Sequence, residues 1–128
     1  MIIKGEQKYI RMSSRKLRLV VDAIRDRTPE EAIRDLGGIR KKAAPIIAKT
    51  IKMAMANARN ATNLQGGVLG FERIEVNQGP LLKRWRAVSR GRAHSIRKPT
   101  AHLKILLQVK PMKNDMKNKK TLSTAAEK

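Results

Sequence analysis

The residues of this chain that could do chemistry are cations, and they are crowded together. Lys83, Arg84, Arg86, Arg90, Arg92, Arg97 and Lys98 all fall within residues 83–98, interleaved with Trp85 and His94. No acidic residue stands between Glu75 and Asp115. A charge run is usually a solvated face. This one repels itself so strongly that it makes physical sense only against a polyanion. Arginine outnumbers lysine in it, and a guanidinium forks onto phosphate oxygens and stacks on bases. Trp85, the single tryptophan, lies between Arg84 and Arg86. There an indole can stack on an unpaired base or pack against a facing strand. The implied chemistry is nucleic-acid binding.

A second basic group, Arg11, Ser13, Arg15, Lys16 and Arg18, surrounds a helix start. Free N–H groups at such a start bind phosphate, and Ser13 or Ser14 is also a natural cap. Catalytic and metal chemistry find no residues to work with. His94 and His102 are the only histidines and there is no cysteine. Two ligands are too few for zinc. No Ser-His-Asp or paired-carboxylate arrangement is visible. The glycines at 66, 67 and 70 do not make a phosphate loop, because no helix follows them. The expectation is a protein without enzymatic activity, cofactor or metal.

The elements that position these groups come next. The chain has 128 residues, enough for one small domain, with 41% hydrophobic residues and a formal charge of +20. Its aromatics are Tyr9, Phe71 and Trp85, so the core must be aliphatic. The absence of cysteine fits a reducing cytosol. No stretch approaches the roughly 20 apolar residues of a membrane span, and residues 1–9 are too polar for a signal peptide. A basic helix lying on an anionic membrane is disfavoured, since the densest charge sits among Pro80, Gly91 and Pro99.

Residues 2–12 read as an edge strand or an extended arm. Leu17, Val20, Val21 and Ile24 recur at helical spacing after Ser13 and Ser14. Thr28, Pro29 and Glu31 spell a capping box with proline at the first helical position, and Gly37-Gly38 is the expected stop. A third helix is expected from 41–44 to about Asn60, with Ala44, Ile47, Ile51, Ala54, Met55 and Ala58 as its stripe. Residues 63–67 read as a loop. Beyond it the period changes to two: Leu103, Ile105, Leu107 and Val109 alternate with Lys104, Leu106 and Gln108. Residues 68–76 are β-rich. If Ile74 faces Ile105, the midpoint falls at Ser89-Arg90, where Ser89-Arg90-Gly91 has turn chemistry. The expected hairpin spans about 74–105 with its tip near 89–91. Most of it must project from a body this small, and Pro80 and Pro99 mark bends or bulges in its arms. Residues 1–110 then form one domain, and the polar, lysine-rich residues 111–128 are expected to be a disordered tail.

Several segments together resemble a known family. They are residues 12–22 (MSSRKLRLVVD), 54–58 (AMANA), 79–84 (GPLLKR), 90–98 (RGRAHSIRK) and 100–103 (TAHL). In this order and spacing they are similar to the large ribosomal subunit protein L-twenty-two family in its bacterial form. The likeness runs from about Ile3 to Val109. The resemblance implies an α+β fold, with three helices packed on a small three-stranded antiparallel sheet and one long projecting β-hairpin. It implies a ribosomal location in the cytoplasm, and partnership with large-subunit ribosomal RNA, neighbouring large-subunit proteins and the nascent polypeptide. By matching positions, Leu82, Lys83, Arg84, Arg90, Gly91 and Arg92 would line the exit tunnel, with Ser89 beside them at the expected tip. Arg11, Arg15, Lys16 and Arg18 would touch RNA from the body. Asn57 would serve in packing or in RNA contact. Ser14 stands where many relatives have proline, Trp85 where the family varies, and the chain after Val109 passes the usual end. The rival reading is a DNA-architectural protein gripping the minor groove with its basic arm, or a regulator acting on messenger RNA.

Overall fold

The computed structural model describes residues 1–62 and 67–111. The loop expected at 63–67 lies almost wholly outside them, and so does the expected tail from residue 112 onward. Among the described residues the order is β1 (Ile2–Ile10), α1 (Ser14–Ile24), α2 (Pro29–Gly38), α3 (Ala43–Thr62), β2 (Gly67–Gln78), β3 (Leu82–Ala87), β4 (Ala93–Lys98) and β5 (Ala101–Pro111). A single 3-10 turn, Ser89–Gly91, joins β3 to β4. β5 includes Pro111, one residue beyond the boundary expected for the tail.

The α+β arrangement follows from two hydrophobic periods. On β5, Ala101, Leu103, Ile105 and Leu107 are fully buried, while the residues between them are half-buried on the other face. Val109, expected on the core face, is only half-buried. β5 is the centre of an antiparallel sheet ordered β1-β5-β2. Of residues 2–12, ambiguous from sequence, Ile2–Ile10 supply its edge strand. Ile74 lies opposite Ile105, the register on which the hairpin reading depended.

The three helices cover one face of this sheet. Leu17, Val20, Val21 and Ile24 turn inward from α1. Ala44, Ile47, Ile51 and Ala54 do so from α3 and are at most 1% exposed. Burying each large aliphatic side chain contributes about 1.5–3 kcal/mol. α3 comes down closely on β1 because Gly5 faces it. A Cβ at Gly5 would lie 2.6 Å from the Ala54 Cβ. Asn57 Nδ2 then donates to the Lys4 carbonyl at 3.1 Å, so this asparagine ties α3 to β1.

Local signals set the helix ends. Ser13 caps α1, its Oγ accepting the Lys16 N–H at 3.4 Å. Ser14 is therefore the first helical residue, a position that suits proline. At α2 the capping box is complete: Glu31 N–H donates to Thr28 Oγ1, and Thr28 N–H donates to Glu31 Oε2 at 3.1 Å. Gly37 and Gly38 do not stop the helix by a left-handed turn. They remain helical, and the closing bond runs from the Ile39 N–H to the Leu36 carbonyl. α3 runs two residues past its expected end, and Pro45 falls within its first turn.

Candidate nucleic-acid interface

Beyond the sheet the ribbon changes character. The β2–β5 pairing ends at Gln78–Ala101, and β3–β4 resumes at Leu82–Lys98. Pro80 and Pro99 lie in the gap, where their missing donors break the ladder. Two hydrogen bonds hold the joint. Gly79 N–H donates to the Thr100 carbonyl at 2.8 Å. Thr100, 4% exposed, donates through its hydroxyl to the Pro80 carbonyl at 2.6 Å. A Cβ at Gly79 would meet that hydroxyl at 2.5 Å, so a glycine is needed there.

β3 and β4 pack chiefly on each other, and none of their residues is buried. The six-residue β3 rises roughly 20 Å at about 3.4 Å per residue. At the tip Val88 N–H donates to the Arg92 carbonyl at 2.9 Å. Both Arg90 (φ 62) and Gly91 (φ 66) are left-handed. Glycine was expected to take that conformation; an arginine beside it doing so is a small strain at the tip.

This ribbon gathers the basic residues expected to contact nucleic acid. Lys83 stands directly opposite Arg97, Arg86 opposite His94, and Arg84 opposite Ile96. Like charges placed directly across a ladder destabilise it. No acid on the ribbon offsets the Lys83–Arg97 pair. Trp85 faces Ser95 and is 74% exposed, so the opposite arm does not cover the indole. Arg90 and Arg92 flank the exposed tip.

The body group meets the root of this ribbon. A groove of about 400 Å³ is lined by Arg11, Ser13 and Lys16 at the start of α1, by Lys42 ahead of α3, and by Leu82 and Lys98 of the ribbon. Two basic segments far apart in sequence thus share one concavity beside a helix N-terminus. Lys42 was missed in the sequence reading; its only signal is the run Arg40-Lys41-Lys42. Arg15 is exposed on the same helix. Arg18 has a structural commitment as well, for its Nη2 donates to the Val76 carbonyl at 3.0 Å and pins α1 to β2. His102 has a structural partner: its Nδ1 accepts the Tyr9 N–H at 3.0 Å. Tyr9 itself has φ 55 at a bulge in the β1–β5 pairing, and its ring meets the His102 ring edge-on.

The open face of the sheet differs electrostatically. There Glu6 pairs with Lys4, and Glu75 lies between Arg73 at 3.2 Å and Lys104 at 3.8 Å. The hydrogen bond from Lys4 holds the Glu6 carboxyl below the usual glutamate range. Acids pair with cations here, and on the ribbon there is no acid to do so.

Comparison with known proteins agrees over nearly the whole described length. A family model for ribosomal protein L22p/L17e matches residues 5–108. The chain is 43% identical over 107 residues to the large ribosomal subunit protein uL22 of Syntrophus aciditrophicus, covering 84% of this chain and 97% of that protein. It is 44% identical over 102 residues to the protein of the same name from Fusobacterium nucleatum, covering 80% and 92%. With that of Bdellovibrio bacteriovorus it shares 38% identity over 110 residues, covering 86% and 100%.

Proposed function

The chain belongs to the ribosomal protein L22p/L17e family, and from that membership we propose that it is a non-catalytic structural constituent of the large ribosomal subunit. It binds folded ribosomal RNA through phosphate and shape rather than base sequence. The observation that carries this reading is the exposed β3–β4 ribbon with Lys83 opposed to Arg97 and no acid to balance them. A two-stranded ribbon is marginal in water on its own. Threaded among phosphates, its repulsions become attractions.

Two contact regions have separate tasks. The groove of Arg11, Lys16, Lys42 and Lys98 docks the body on RNA phosphate, helped by the α1 N-terminus. Arg15 and Arg18 extend that surface. Lys83, Arg84, Arg86, Arg97 and Lys98 with His94 run along the RNA, while Leu82, Ser89, Arg90, Gly91 and Arg92 bring the tip to the wall of the nascent-chain tunnel. Neighbouring large-subunit proteins and the growing polypeptide complete the list of partners, and the working location is the cytoplasmic ribosome.

The test is to tag the protein in cells and follow it on a sucrose gradient. It should migrate with the large subunit and stay there through a high-salt wash. Release at moderate salt, or migration as free protein, would overturn the assignment. A crosslinker at Ser89 should capture growing chains only a few tens of residues long. Capture confined to chains already outside the ribosome would reverse the proposed orientation.

A further inference from the structure

The register of the ribbon sorts its side chains into two unlike faces. Directly paired residues point the same way, and successive residues alternate. One face carries Leu82, Arg84 and Arg86 opposite Lys98, Ile96 and His94. The other carries Lys83 opposite Arg97, Trp85 opposite Ser95, and Ala87 opposite Ala93. On this second face a tall, flat indole rises beside a floor of serine and alanine, with two cations next to it along the strands. The fold gains little from the arrangement. Trp85 remains 74% exposed, and the Lys83–Arg97 pair is repulsive.

We propose that this face is a binding site for one unpaired nucleotide, its base stacked on the Trp85 indole and its phosphate held between Lys83 and Arg97. The inference rests on the RNA-binding reading above and names the part of the RNA that this face takes. Lys83 and Trp85 are two residues apart, roughly 7 Å along a strand. That is the separation of a nucleotide's base from its own phosphate. The small side chains of Ser95, Ala87 and Ala93 leave room for a base to lie against the ring. A base inside a duplex keeps its faces stacked within the helix, whereas a bulged or looped base exposes them. An apolar peptide could also cover the indole, but it would leave the two cations unpaired, and a nucleotide satisfies both features.

Trp85 is the only tryptophan, so its emission reports on this face in the full-length protein. Two labelled RNA stems are compared, identical except that one carries a single-nucleotide bulge. Both should raise anisotropy through phosphate contacts, and only the bulged stem should quench the indole. Trp85→Ala should weaken the bulged stem about tenfold or more and leave the paired stem nearly unchanged, while Trp85→Phe retains most of the preference. Tight binding of both stems with unchanged emission overturns the site and leaves the RNA-binding reading standing. Binding of neither stem sinks that reading and the site with it. Quenching by an uncharged apolar peptide, with none by bulged RNA, assigns the face to polypeptide and likewise overturns the proposal.

Discussion

β2 with β5, and β3 with β4, are two stretches of one antiparallel ribbon that meet at Pro80 and Pro99. Along the first stretch Ile74, Val76, Leu103, Ile105 and Leu107 alternate inward against the helices, and Glu75 sits among cations on the open face. Along the second, every side chain is at least partly exposed, and no carboxylate occurs between residues 82 and 98. Backbone pairing is the same in both. What differs is where the compensating interactions lie. The body carries them within the chain: an apolar core on one face and ion pairs at Glu6 and Glu75 on the other. The ribbon leaves its charge for a partner. A strand without a buried face, and with like charges opposed, is therefore built for a ligand rather than for stability.

The largest effect should come from breaking the body. Ile51 is fully buried at the middle of the α3 stripe. Ile51→Asp would bury an unpaired carboxylate and should abolish folding. Ile51→Ala should cost about 2–5 kcal/mol through lost burial and the cavity left behind. Circular dichroism against temperature measures both. Trp85→Ala, at the exposed face of the ribbon, should melt with the wild type. If Ile51→Asp melted normally, the inward face of α3 would be wrongly assigned.

The next effect sharpens the contrast, because stability and binding should move in opposite directions. Lys83→Glu converts the repulsive pair with Arg97 into an attractive one. It should stabilise the free ribbon by about 0.2–1 kcal/mol. The same change should weaken RNA binding about tenfold at low salt. For the wild type, if about six phosphates are neutralised, log K should fall with log salt at a slope of roughly −4 to −5. Lys83→Glu should make that slope shallower by about one unit. A variant that binds RNA undiminished would show that the Lys83–Arg97 pair faces no phosphate.

The two regions also differed in how far the sequence revealed them. The capping box at Thr28, Pro29 and Glu31 was legible because all its partners lie within one helical turn. The ribbon register was legible only as a supposition, that Ile74 faces Ile105; the structure has that pair, but alternation alone does not choose between Ile74 and Val76. Four features were not legible, each resting on contacts between distant segments. Lys42 joins the groove only when α3 packs beside α1. Arg18 reaches a carbonyl fifty-eight residues away, at Val76. The left-handed Tyr9 depends on a bulge opposite β5 and on His102 as acceptor. The Asn57 bond to Lys4 requires the close approach that Gly5 allows. The basic cluster itself was visible in composition. That its two faces differ needed the register.

A smaller effect is expected at the joint. Thr100→Val keeps the shape of a buried side chain but removes the donor to the Pro80 carbonyl. The loss should be about 1 kcal/mol. Hydrogen exchange should locate the change at the junction, with faster exchange at Gly79 and in the ribbon and little change in the β1–β5 pairing. Uniform acceleration across the sheet would mean that the ribbon and the body open as one unit.

The smallest effect concerns protons, and it separates the regions by their chemistry. The bond from the Thr28 backbone N–H, and then that from its side chain, hold the Glu31 carboxyl below its ordinary value of 4.5. The bond from Lys4 does the same for Glu6. With folded values depressed, the unfolded chain takes up these protons first. Their stabilisation is fully present above the ordinary glutamate value and is lost as pH falls through the lower folded values. Both groups are in the body. The ribbon has no carboxylate. Once the pH falls below the ordinary glutamate value, further acidification should therefore lower the thermal midpoint of the body. Glu31→Gln should lower the midpoint slightly at neutral pH and flatten its fall in acid, since the group that titrates has been removed. A midpoint falling as steeply in Glu31→Gln as in the wild type would mean that the acid sensitivity arises elsewhere in the body, not at the capping box.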